Sequence, residues 1–143
     1  MVRRTAVEHR FVESAPDVLQ EGVLYVSVNY KTALHNCLCG CGTEVVTPIR
    51  PTDWTLLFHG DSVSLYPSIG NWGLSCQSHY WIDHNQVRWS YALSREEIEE
   101  ARAHDRFLKA RYFGQEPASA SKGREEPGGK TLGGCFSRFT KVR

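Results

Sequence analysis

Net charge is nearly absent from this chain. Its 17 Lys and Arg residues are balanced by 16 Asp and Glu, for a formal charge of +1. No basic stripe gathers outside the last stretch, so a nucleic-acid partner has no electrostatic footprint to meet and none is expected. Long apolar runs are missing too. Nothing approaches the roughly 20 residues that span a bilayer, and the start, M-V-R-R-T-A-V-E-H-R, has no secretory-type apolar segment. A cytoplasmic protein without a membrane partner is expected. There is no internal repeat and no His-Glu-x-x-His run, which argues against hydrolytic zinc. What remains is 143 residues, 41% hydrophobic and 11% aromatic, enough for one domain with a packed core.

Cysteine is the residue the chain does concentrate. Cys37, Cys39 and Cys41 fall in the run H-N-C-L-C-G-C-G, and Cys76 and His79 follow in C-Q-S-H-Y-W-I. Cysteines two apart on an extended strand lie at or beyond the reach of a strain-free disulfide, and a total of five leaves one unpaired. Thiolates beside an imidazole suit a tetrahedral, borderline-soft cation, with Zn2+ first. Gly40 and Gly42 allow the turns that aim successive sulfurs at one point. His35 stands at the same two-residue rhythm. Two ligand sets are open. Cys39, Cys41, Cys76 and His79 would form two paired arms, whereas Cys37, Cys39, Cys41 and Cys76 would form an all-sulfur site and release His79. Either set fills four positions and is therefore structural. Cys135 lies far from the cluster in sequence and is left out.

Periodicity supplies the rest of the scaffold. Residues 23–30, V-L-Y-V-S-V-N-Y, alternate in polarity as a strand, and residues 44–47 make a short one stopped by Pro48. Residues 54–58 and 62–66 flank His59-Gly60-Asp61 as one hairpin, and residues 79–82 and 87–89 flank a polar turn as a second. Ser94 and Glu97 have capping-box spacing, which predicts a helix from Ser94 to about residue 113 with Ile98, Ala101 and Leu108 on its packed face. The expectation is a small β-rich (α+β) zinc-stapled domain over residues 1–113, with two hairpins and one C-terminal helix. Residues 114–143 are Pro, Ala, Ser, Gly and charge, a tail expected to remain unordered.

Between the two cysteine arms runs S-L-Y-P-S-I-G-N-W. Pro67 before Ser68 and Gly70 after it predict a tight loop that could present the hydroxyl, with amides near Gly70 facing an oxyanion. A serine nucleophile needs a base, and His79 and His35 are the candidates. The commoner fate of such a serine is a hydrogen bond to its own turn. Trp72 and Tyr66 are placed to line a groove there, while Trp54, Trp81 and Trp89 read as core and sheet packing.

Together, E-G-V-L-Y-V-S, H-N-C-L-C-G-C-G, S-L-Y-P-S-I-G-N-W and C-Q-S-H-Y-W-I resemble a small bacterial domain family of unknown function, over about half the chain. Its members are associated with operons for a ubiquitin-like protein, an adenylating enzyme related to E1 and a conjugating enzyme related to E2. The resemblance implies a partner whose C-terminal tail ends in glycine. It also implies a role as a serine peptidase on that tail or as a member of the assembly. As a peptidase, Ser68 would attack, with His79, or His35 if His79 binds metal, as the base. Asp53, Asp61 and Asp83 are the available acids. As an adaptor, the zinc-held hairpins would dock the ubiquitin-like protein or its E1- and E2-like enzymes without chemistry.

Overall fold

The computed structural model describes residues 2–114 and 137–139, the last three by their backbone alone. Their strands, in chain order, are β1 (Glu8–Phe11), β2 (Val23–Ser27), β3 (Thr32–Asn36), β4 (Glu44–Pro48), β5 (Thr55–Phe58), β6 (Val63–Gly70), β7 (His79–Asp83) and β8 (Gln86–Trp89). The helix α1 (Arg95–Tyr112) and the strand β9 (Ser137–Phe139) complete them. Two sheets result. One has the order β1-β2-β3-β4, with β1 parallel to β2 and the other pairs antiparallel. The other has the antiparallel order β5-β6-β7-β8, and β9 joins β6 in parallel.

Both expected hairpins are present, β5-β6 and β7-β8, within a larger pair of sheets. The β7-β8 loop is His84-Asn85, both at positive φ (49° and 63°), the backbone that a two-residue hairpin loop of the primed type requires. Asn85 Oδ1 also accepts the Val63 N–H at 2.9 Å, fastening that loop to β6. Leu24, Val26, Ala33 and Val45 from the first sheet meet Val63, Leu65, Ile69, Tyr80 and Ile82 from the second in one core around Trp54. The N-terminal segment sews the sheets together, with Val7 N–H donating to Asn85 O and Val87 N–H to Thr5 O, each at 2.8 Å.

The expected loop at Ser68 is instead strand, because β6 runs on through Pro67 to Gly70. The Tyr66–Pro67 peptide is cis. The pairing with β5 ends at Tyr66, and the register with β7 shifts between Leu65 and Ile69. Pro67 therefore falls where neither ladder is regular, and its missing N–H breaks no pairing. β1 and β3 are strands that the alternation did not reveal.

α1 begins as its cap predicts. Ser94 N–H donates to Glu97 Oε2 at 2.7 Å and Glu97 N–H to Ser94 Oγ at 3.2 Å. Its packed face is smaller than expected: Ile98 is buried, but Leu108 is 39% exposed. Charged residues interrupt the apolar stripe, and past the first turns Lys109 Nζ holds the helix through Asp53 at 3.3 Å. No helix among the described residues is long and apolar enough to cross a membrane. The expected tail falls largely outside the described residues, as does Cys135; the part that is described forms β9.

Candidate active site

β3 delivers the cysteine run. Cys37 N–H donates to Thr43 O at 2.7 Å and Gly40 N–H to Cys37 O at 3.1 Å. Gly40 and Gly42 stand at φ 89° and 75°, the left-handed turns that only glycine makes without strain. Cys76 arrives from the β6-β7 connection. The Sγ atoms of Cys37, Cys39, Cys41 and Cys76 lie within 4.8 Å of one another, at 3.4 Å for Cys37–Cys39, 3.8 Å for Cys37–Cys76 and 3.9 Å for Cys41–Cys76. Sulfurs bound tetrahedrally at about 2.3 Å would stand about 3.8 Å apart. All four are free thiols, so the donor set fits a metal ion. Burial pushes the Cys37 thiol well up. At Cys41 burial also raises the pKa, but hydrogen bonds led by Thr43 outweigh it and bring the thiol down to about 7. Of the two open ligand sets, the fold assembles the four-sulfur one; His79 is not part of it.

A hydrogen-bond network joins this cluster to the second sheet. Ser78 Oγ is 3.0 Å from Cys37 Sγ and accepts from Asn71 Nδ2 at 2.8 Å. Asn71 N–H donates to Ser78 O at 2.9 Å. Tyr80 OH lies 2.7 Å from His35 Nε2. His35 is thus fully buried against Tyr80, and burial depresses its pKa to about 3, so it remains neutral.

On the opposite face of the same strands stands Ser68. The register sets Gly70 opposite His79 and Ile69 opposite Tyr80. Alternation then turns Tyr80 to the core and puts His79 on the face shared with Ser68, one diagonal step away. Gly70 has no side chain to come between them. His79 Nε2 is 2.9 Å from Ser68 Oγ, and its Nδ1 is 3.2 Å from the Tyr91 carbonyl. A carbonyl only accepts, so Nδ1 carries the proton in that bond and Nε2 is left as the acceptor for the serine O–H. Burial holds the His79 pKa below the ordinary histidine value of 6.5, opposed by the Tyr91 carbonyl. Trp72 meets the imidazole edge-on at 5.0 Å and Trp81 lies over it at 5.4 Å.

Several residues singled out in the sequence go elsewhere. Of the two candidate bases, His79 and not His35 meets Ser68. The Tyr66 hydroxyl donates to Asp83 Oδ1 at 3.3 Å. The three candidate acids are engaged away from His79: Asp53 with Lys109, Asp61 with Ser62, and Asp83 with His84 and Arg88. Trp81, read as sheet packing, flanks the imidazole. The Tyr91 carbonyl had no sequence signal, since every residue carries one. Asn71 and Ser78 adjoin singled-out residues, but only the strand register shows that they bridge.

A serine hydroxyl hydrogen-bonded to the unprotonated nitrogen of a histidine, whose other nitrogen is oriented by an acceptor, is the arrangement of serine proteases. Residues 11–90, more than half the chain, match the family model of the bacterial ubiquitination-like system serine protease, BubE. The chain belongs to this family and is thereby part of a bacterial ubiquitination-like system. Comparison with curated proteins and with solved structures gives no match.

Proposed function

We propose that this protease cleaves the bond after the C-terminal glycine of a ubiquitin-like protein, with Ser68 as nucleophile, His79 as base and a structural zinc bracing the fold. The 2.9 Å contact between His79 Nε2 and Ser68 Oγ carries the reading. Ser68 Oγ attacks the glycine carbonyl carbon while its proton passes to His79 Nε2. His79 then gives that proton to the leaving amine or alcohol as the bond to it breaks, and the tail is left as an ester on Ser68. Water attacks that ester with its proton again going to His79. The glycine carboxylate is released and Ser68 Oγ recovers a proton from the imidazolium. The Tyr91 carbonyl orients the ring for this transfer without itself supplying a negative charge. Trp72 and Trp81 beside the imidazole favour a slim approach, which suits a glycine-ended tail.

Cys37, Cys39, Cys41 and Cys76 would hold the zinc. With four protein ligands its contribution is folding energy, since no position is left for substrate. Reduced thiols of this kind fit a cytoplasmic setting alongside the E1- and E2-like enzymes that make the conjugate.

The test is Ser68→Ala against a ubiquitin-like protein extended beyond its terminal glycine. Cleavage is expected to fall by about 10⁴-fold or more, with metal content and Tm unchanged. Full activity in that variant would remove Ser68 from the mechanism.

A further inference from the structure

The two edges of β6 are used differently. β7 takes one edge up to Gly70. On the other, β5 pairs from Val63 to Tyr66 and stops. The remainder of that edge is taken by β9, running parallel, with Ser68 opposite Ser137, Ile69 opposite Arg138 and Gly70 opposite Phe139. A segment from the far end of the chain therefore holds the backbone of the strand that bears the serine.

Ser68 is 0% and His79 2% exposed. A nucleophile that must reach a carbonyl carbon has to be uncovered first. A peptide laid along β6 would gain main-chain hydrogen bonds, the form of recognition available to a glycine tail that has no side chains to grip. β9 is only three residues long, shorter than the usual strand of about five or six, so it is suited to exchange. It also lies outside residues 11–90, the stretch that matches the family. In the sequence it closely follows a glycine pair, Gly133-Gly134.

We infer that the Ser68–Gly70 edge of β6 binds the extended, glycine-ended segment of the substrate as an added strand, and that β9 is an internal competitor for that edge. The identity of the substrate rests on the peptidase reading above; the competition for the edge does not require cleavage.

The test measures binding, in full-length protein carrying Ser68→Ala, of a fluorescein-labelled extended peptide that ends in Gly-Gly. It compares that protein with one also carrying Ser137→Pro and Arg138→Pro. N–H groups of successive strand residues point to opposite edges, so one of the two prolines removes a donor from the β6-β9 ladder whichever way β9 is phased. The labelled peptide is expected to bind about tenfold tighter to the proline variant, the scale set by losing about one net backbone hydrogen bond from the competing strand. An unlabelled peptide of residues 135–142 should displace it from both proteins. With Ser68 restored, the prolines should lower KM and leave kcat unchanged. Equal or weaker binding by a proline variant of unchanged Tm overturns the inference, and so does failure of the 135–142 peptide to compete. Tighter binding without cleavage by any Ser68-containing protein upholds the competition and overturns the peptidase reading instead.

Discussion

Ser78 Oγ lies 3.0 Å from Cys37 Sγ, and Ser78 is the residue immediately before His79. The same serine is bonded through hydroxyl and carbonyl to Asn71, the residue immediately after Gly70. The cysteine cluster is thereby fastened to both strand ends where Gly70 and His79 pair. A sulfur cluster on one side of the sheet is thus tied to the strand ends whose register places the imidazole against Ser68 on the other.

That link makes Ser78→Ala informative. If Cys37 holds zinc as proposed, removing the hydroxyl that touches its sulfur should weaken zinc affinity by about 10-fold or more, read by chelator competition. Because the β6-β7 join loosens too, kcat should fall while KM changes little. Ser78→Thr, which keeps the hydroxyl, should recover part of both losses.

His79→Ala separates base from ligand. Cleavage should be lost while one zinc per chain is retained, as measured by elemental analysis on the purified protein. Loss of zinc would return His79 to the metal set. By contrast, Asp83→Asn should stay within about twofold of the unmodified kcat/KM, because Asp83 is spent on His84, Arg88, Tyr66 and Ser64 rather than on His79.

The pH dependence follows from the depressed pKa of His79. Burial favours the neutral imidazole, so the base is fully available at neutral pH and is lost only as pH falls through a value below 6.5. The acidic limb of kcat/KM, which reports the free enzyme, should have its midpoint below 6.5. The same shift lowers stability as pH drops below 6.5, because the unfolded chain takes up the proton first. A midpoint at or above 6.5 would mean that another group limits the reaction.

Metal removal should act through folding. A strong chelator is expected to abolish the cooperative unfolding transition, and Cys76→Ser to be as damaging, because the binding energy of such a site is folding energy. Cys135→Ser should leave Tm where it was. Circular dichroism melts with and without added zinc check all three.

The parts of this protein that could be read directly from the chain are those decided within a few residues. The cap at Ser94, the alternation of β2, the polar loop of the β7-β8 hairpin and the glycine turns of the cysteine run depend on neighbours up to four positions away. The crowding of thiols announced, in the same way, a four-cysteine cluster that could hold a metal ion. The two-residue rhythm of His35 with the cysteines carried no such meaning, because β3 ends at Asn36 and the cysteines follow it in turns.

Partner choice was beyond such signals. Which histidine meets Ser68 depends on the pairing of β6 with β7, and which sulfurs converge depends on where Cys76 lands against β3. Both are contacts between segments far apart in sequence. The strand through Pro67 formed because its neighbours' ladders leave that position unpaired, a fact about β5 and β7 rather than about Pro67. The Tyr91 carbonyl became the orienting group of His79 through the course of the backbone after β8. The sequence alone thus determined which chemical groups and local elements the protein has. Tertiary structure alone decided which groups touch, because strand register is a property of pairs and no single segment carries it.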